Sequence, residues 1–272
     1  MVSAVTLASH WVPDKIDLDR PSAARIYDYL LGGGHNFASD RAVAERLLRV
    51  LPAFDIARMN RAFLGRAVRF LIDAGIRQFL DLGSGIPTVG NVHEVAQHAD
   101  PNCRVIYVDN EPVAVAHGEL LLEGNDRATI IHADMRDPEL ILNSPTTLQL
   151  IDFAEPVGLL MVGVLQFLPD EDDPWALVTR YRDALASGSY LALSAFTQDY
   201  TPEGMNAAVD VCHATQHPIY PRDRDAIMRM LTGFELYEPG LVYTPQWRPE
   251  RLEDVADNWK RANMYAAVGH KP

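Results

Sequence analysis

The chain has 272 residues, 48% of them hydrophobic, enough to bury one sizeable core with room for an appendage. Its formal net charge of −13 excludes long stretches of nucleic-acid backbone as the main partner, because neutralising phosphates needs a surplus of Lys and Arg. Two cysteines far apart, Cys103 and Cys212, exclude a disulfide or metal framework, and a reducing cytoplasm is the expected compartment.

The first 18 residues read as irregular, with no basic n-region of a signal peptide. Asp19 is the expected cap of a first helix, with Pro21 in its first turn, running through "PSAARIYDYLL" and stopped by Gly32, Gly33 and Gly34. Ser39 is the expected cap of a second, with Val43, Leu47, Val50 and Leu51 on one face. Asp55 opens a third, in which Ile56, Met59, Phe63, Ala67, Phe70 and Leu71 recur at helical spacing and Gly75 is the stop. Residues 1–75 thus form an N-terminal helical extension, and residues 76–272 a second region of different pattern.

From Ile76 onward, apolar strands alternate with helical runs. "IRQFLDLG", "CRVIYVDN", "ATIIHAD", "PVGLLMVGVL" and "SYLALSAF" read as strands, and "VGNVHEVAQHA", "EPVAVAHGELLL" and "PWALVTRYRDALA" as helices. That alternation predicts an α/β fold, a doubly wound Rossmann-like sheet with parallel pairing and helices on both faces. Two further helices follow near 202–214 and 222–231. The runs "FELYEP", "GLVYTP" and "NMYAAVGHK" close the chain, the last two as antiparallel partners. The longest apolar run, residues 158–168, is shorter than the roughly 20 residues that span a bilayer, so no membrane association is expected.

In an open parallel sheet, ligands bind beyond the carboxyl ends of the strands. "DLGSG" lies at the end of the first, where Gly83 and Gly85 let backbone approach a ligand. The third glycine of a dinucleotide fingerprint is not in place and Pro87 delays the helix, which weakens a pyrophosphate reading. No Gly-Lys-Ser/Thr follows, which excludes a P-loop. Asp109 ends the second strand, where a carboxylate can accept from ribose hydroxyls. Asp134 and Met135 end the third, where an acid can accept from an exocyclic amine and a thioether can pack on a ring. Each acid alone reads as a loop or cap residue. The ordered set is what points to a nucleoside-like ligand.

These segments resemble class I S-adenosylmethionine-dependent methyltransferases, with "LDLGSG", "YVDNEPVAVAHGE" and "HADMRDP" as the glycine, ribose and adenine motifs. "RPSAARIYDYLLGGGHNFASDR" and "LGSGIPTVGNVHEVAQ" extend the resemblance to a bacterial family of S-adenosyl methyltransferases whose substrates are largely unassigned. The resemblance implies a seven-stranded sheet with its last strand antiparallel, and S-adenosylmethionine as cofactor. It implies that Gly83, Ser84 and Gly85 face the methionyl part and that Asp81 reaches its amino group through water. Asp109 would hold the ribose with Asn110 beside the adenine, Asp134 and Met135 would read the adenine, and Gly163 would lie near the sulfonium. "GVLQFLPD" after the fourth strand departs from the Asn-Pro-Pro-Tyr type motif used to methylate base amino groups.

The expected activity is methyl transfer to a small-molecule acceptor, not to nucleic acid, with no catalytic residue identified. A non-catalytic S-adenosylmethionine sensor and a nicotinamide-dependent oxidoreductase are the alternatives. The run of three glycines is more than a helix stop requires. It reads either as a flexible connector or as a hinge, with Tyr27, His35, Asn36 and Phe37 presented to the site as a lid or substrate wall. His213 and His217, four apart, could share a helical face, but with no third ligand nearby no metal is expected. "DEDD" at 170–173 reads as a solvated loop, and both cysteines as packing residues.

Overall fold

The computed structural model describes residues 17–88, 90–251, 255 and 258–272. The expected irregular start therefore lies almost wholly outside the described residues. Three helices come first: α1 (Ala23–Leu30), α2 (Ala38–Leu48) and α3 (Ala53–Asp73). The alternating region follows with β1 (Gln78–Leu82), α4 (Val92–Ala99), β2 (Arg104–Asp109), α5 (Pro112–Leu121) and β3 (Ala128–His132). It continues with the short α6 (Pro138–Leu142) and α7 (Pro145–Leu150), then β4 (Gly158–Val162), α8 (Pro174–Ala184) and β5 (Tyr190–Phe196). The chain closes with α9 (Pro202–Cys212), α10 (Arg224–Met230), β6 (Glu235–Leu236), β7 (Val242–Tyr243) and β8 (Met264–His270).

The strand order is β3-β2-β1-β4-β5-β8-β6, with β7 also on β8. The first five strands pair in parallel, whereas β8 runs antiparallel to β5, β6 and β7. The expected seven strands are eight segments because the sixth position is split. Pro239, which has no amide hydrogen to give a ladder, and Gly240, at φ +80°, lie between β6 and β7.

Side-chain alternation along the strands builds two cores. Leu80, Leu82, Ile106, Val108, Leu159 and Leu191 face α8 and α10 through Tyr181, Leu177 and Ile227. Phe79, Val105, Leu160 and Ala192 face Phe63, Ala67 and Leu71 of α3. Strands covered on both faces explain the near-continuous apolar runs. Smaller apolar clusters join α1 and α2 to α3 and to α9.

Several boundaries differ from the sequence expectation. α1 begins at Ala23, and it is the Asp17 carboxylate that takes the amides of Asp19 and Arg20. α2 begins at Ala38. Its first turn is closed by Asp40, whose carboxylate accepts from the Phe37 amide at 2.8 Å, while the Ser39 hydroxyl donates to Leu18 O. Helices α6 and α7 were not expected; Pro138 and Pro145 open them, capped by Asp137 and Ser144. Among the described residues no helix is long and apolar enough to cross a membrane.

Candidate functional site

A cavity of about 520 Å³ lies at the carboxyl ends of β1 to β4. Its far wall is made by α1, the start of α3, α9 and the segment 215–220. All nine cofactor residues expected from the sequence line it.

At the end of β1, Asp81 is buried and its carboxylate makes no hydrogen bond to the described residues. Burial pushes its pKa up to about 7, opposed by the Arg61 charge and aided by Asp109. Gly83 has φ +70°, and a β-carbon there would stand 2.3 Å from Val164 Cγ2. Packing of the turn against the loop after β4 therefore dictates this glycine, rather than ligand approach alone. Gly85, at φ +68°, has nothing within 4 Å of its β-carbon position. The Ser84 hydroxyl between them is buried without a partner among the described residues.

At the end of β2, the Asp109 carboxylate accepts from the amides of Gly85 at 2.7 Å and Glu111 at 2.8 Å, which ties the β1 and β2 loops together. Each carboxylate oxygen has a second lone pair free for a ligand. Burial pushes the Asp109 pKa up to about 6, against the pull of those amides. Exposed Asn110 is next to it. At β3, Met135 is buried, while Asp134 is half-exposed and gripped by Arg136, with Nη2 to Oδ2 at 2.6 Å. Burial acts to raise the Asp134 pKa, and the Arg136 hydrogen bonds outweigh it and hold the pKa low. After β4, Gly163 takes φ +73°, and its β-carbon position lies 2.8 Å from Asn60 Nδ2.

The N-terminal expectations divide. Tyr27 lines the cavity, its hydroxyl donating to Ala57 O at 3.1 Å and lying 3.3 Å from Asn60 Nδ2. His35, Asn36 and Phe37 do not line it. Asn36 donates to Asp28 Oδ2 and His35 lies against His117, with ring centroids 3.9 Å apart. Phe37 packs on Ile86, Val113 and Ala114 beneath the Arg25 guanidinium. The glycine run has a different cause from a hinge. Gly32 takes φ +86°, and a β-carbon on Gly33 would be 2.0 Å from Asp28 Oδ1. The turn wraps a buried carboxylate that also accepts the His35 amide at 2.8 Å.

Other expectations are corrected. Helix α9 ends at Cys212, so His213 and His217 do not share a helical face. The His217 ring lines the cavity, and its Nδ1 accepts from the Ala23 amide at 3.3 Å. Burial lowers its pKa, and the neutral ring then carries its proton on Nε2. "DEDD" is solvent-exposed as expected, and three of its four acids also make local clamps. Asp170 pairs with Arg222 and Asp172 with Arg136, while Asp173 caps α8 through the Ala176 amide. Among the described residues no group of three His, Cys, Asp or Glu side chains could hold a metal ion.

The profile of the S-adenosyl methyltransferase family matches residues 9–272. The chain belongs to that family. A candidate methyltransferase from Thermobifida fusca shares 41% identity, with 97% of this chain and 99% of that one covered and a TM-score of 0.89. A DUF574-family protein from Streptomyces avermitilis shares 37% identity over 95% of this chain and 100% of that one, with a TM-score of 0.91. No curated protein matches the chain. The protein is thus an S-adenosylmethionine-dependent methyltransferase, and the oxidoreductase alternative falls.

The cavity also holds residues that the motifs did not disclose. Arg61 of α3 lines the cavity with its charge on Asp81. Its Nη2 donates to the Thr88 hydroxyl, and its Nε is buried without a partner among the described residues. Glu111, at the start of α5, lines the cavity and is paired with buried Arg25 at 3.0 Å. Asn60 accepts from Ser194 Oγ at 2.6 Å and stands beside Gly163. Gln166 donates to Gly163 O at 2.7 Å and keeps Oε1 buried and unpartnered. Asn60 had a sequence signal, a polar residue at the i+4 position of the Ile56 stripe. Arg61 had none.

Proposed function

We propose that S-adenosylmethionine is the methyl donor and that it occupies the polar half of the cavity, beside the glycine turn. The buried polar atoms without partners, Ser84 Oγ and Arg61 Nε, with the unbonded Asp81 carboxylate, fit a zwitterionic amino-acid group. Arg61 takes its carboxylate and Asp81 its ammonium. Asp109 and Glu111 accept from the ribose hydroxyls, while Asn110, Met135 and Asp134 flank the adenine, with Asp134 oriented by Arg136. When bound, the sulfonium supplies the methyl as an electrophile, its C–S bond breaking with the electron pair left on sulfur. Gly163, with no side chain, lets Asn60 close against the turn beside the sulfonium.

The acceptor is a small molecule. The observation that carries the reading is the gathering of nine motif residues around one cavity, with an arginine and an unbonded acid at its glycine turn. Orienting two reactants in a near-attack geometry supplies roughly 7–11 kcal/mol of a barrier, so transfer to a good nucleophile does not require a strong base. His217, which carries its ring proton on Nε2, is a donor in this arrangement and not a base.

Calorimetric titration with S-adenosylhomocysteine and with NAD tests the reading. Saturable one-to-one binding of the first and none of the second is expected. The reverse result overturns it.

A further inference from the structure

The cavity has two chemically distinct halves. Its charged side chains stand on the ends of β1, β2 and β3 and on the loop after β4, apart from Arg61, which bonds Thr88 beside the glycine turn. Beyond Gly163 the wall changes. There the wall is largely apolar, made by Leu51, Ile56, Ala208, Ile219, Phe196 and Met264, and the polar side chains beside it, Asn60 and His217, carry no charge. Cys212 belongs to this wall, and burial pushes its thiol up to about 11, so it stays neutral at physiological pH. This apolar chamber is more than the polar cofactor assigned above needs.

The chamber is also held shut on one side. The Gln216 amide donates to Pro21 O at 3.0 Å and its side chain to Arg20 O at 3.0 Å, while the Ala23 amide donates to His217. The opposite side is fixed by Arg222, which donates to Leu165 O and Leu168 O, and by the Tyr220 amide on Gln166 O at 2.7 Å. A walled apolar space strips water from what enters it, and a charged group there has no counter-charge.

Among the described residues, one polar atom at this boundary is buried without a partner. Gln166 Oε1 is buried and unpartnered, in a residue only 3% exposed. Its orientation is not free: Nε2 donates to Gly163 O, and turning the amide over would set two carbonyl oxygens against each other. It can therefore only accept, and it waits for a donor beside Gly163.

Resting on the reading of the polar half as the cofactor site, we infer that the chamber beyond Gly163 binds the methyl acceptor, an uncharged and largely apolar molecule with an O–H or N–H donated to Gln166 Oε1. Carboxylates, phosphates and ammonium ions are rejected for want of a counter-charge, and this selectivity is independent of the acceptor's exact skeleton.

Three probes of one ring and different heads test it: 2-naphthol, 2-naphthoate and 2-naphthylmethylammonium, each titrated by ligand-observed NMR into protein saturated with S-adenosylhomocysteine. Failure of S-adenosylhomocysteine itself to bind sinks the underlying reading and is seen before any probe is added. With it bound, 2-naphthol should bind at least tenfold more tightly than either charged probe. Gln166→Leu should weaken 2-naphthol at least tenfold and leave S-adenosylhomocysteine affinity within twofold, which also reports that the variant is folded. Ala208→Phe, which fills the chamber, should displace 2-naphthol alone. Equal or tighter binding of a charged probe, no binding of 2-naphthol, or 2-naphthol affinity indifferent to both substitutions overturns the inference.

Discussion

Arg25 and Glu111 join α1 to the start of α5 through a buried ion pair, Nη1 to Oε1 at 3.0 Å, with the arginine 1% exposed. The same guanidinium holds Asp40 at 2.9 Å and two backbone carbonyls, so one side chain ties the N-terminal helices to the acid beside Asp109. Removing it leaves two buried carboxylates, Asp40 and Glu111, without their counter-charge. Breaking such a pair typically costs about 3–5 kcal/mol. Arg25→Met should lower unfolding stability by that amount in urea and weaken S-adenosylhomocysteine binding. A loss under about 1 kcal/mol, the range of a surface pair, would show that the ion pair is not structural.

Gly33 and Gly34 make a matched comparison. A β-carbon on Gly33 meets the Asp28 carboxylate, whereas one on Gly34 meets nothing within 4 Å. Gly33→Ala should cost about 1–3 kcal/mol by overpacking, and Gly34→Ala should stay within about 0.5 kcal/mol of the parent. Thermal unfolding of the two variants decides. Equal tolerance would return the glycine run to a simple hinge.

Asp81 sets a pH dependence. Its folded pKa near 7 is above the ordinary value of 3.8, so the empty protein holds this proton more tightly than the unfolded chain does. Its contribution to stability is full below about pH 4 and is lost as pH rises through about 7. Asp109, raised to about 6, acts with the same sign. Binding of an ammonium group needs ionised Asp81, so S-adenosylhomocysteine affinity should climb up to tenfold per unit from pH 5 and level off above 7. Asp81→Asn should remove most of that slope. An unchanged slope in the variant, read by calorimetry across pH 5–8, would take Asp81 out of the ligand's reach.

Arg61 is separable from the nucleoside contacts by choice of ligand. A hydrogen bond to a charged group contributes about 1.5–3 kcal/mol, or roughly 10- to 100-fold in affinity. Arg61→Ala should weaken S-adenosylhomocysteine by that factor and leave 5′-methylthioadenosine, which lacks the amino-acid group, unaffected. Equal losses for both ligands would assign Arg61 to the shape of the turn.

The parts of this molecule that could be read in its sequence are those written in local patterns. Asp109, Asp134 and Gly163 were placed because a buried strand must end somewhere and the loop residue after it has few places to point. The wall opposite could not be read in the same way. Arg61 faces the site only because α3 packs its Phe63–Ala67–Leu71 stripe on the sheet, and that angle is a tertiary fact. The acids at 170–173 were read as solvated and are exposed, but their partners, Arg136 and Arg222, lie 36 and 52 residues away and could not be read locally. The three glycines were read as freedom when Gly33 in fact yields space to Asp28, a fit visible only once the turn is closed.

Strand β8 is the last to be made and sits inside the sheet, between β5 and the β6–β7 pair. On a ribosome adding about 5–20 residues per second, the five parallel strands can assemble seconds before Met264 emerges. During that interval β5 presents an open apolar edge, the template from which chains pair with one another. A chain stopped short of Met264 keeps that edge permanently and should aggregate rather than fold. Until β8 arrives, β5 is therefore the edge of this sheet most in need of cover.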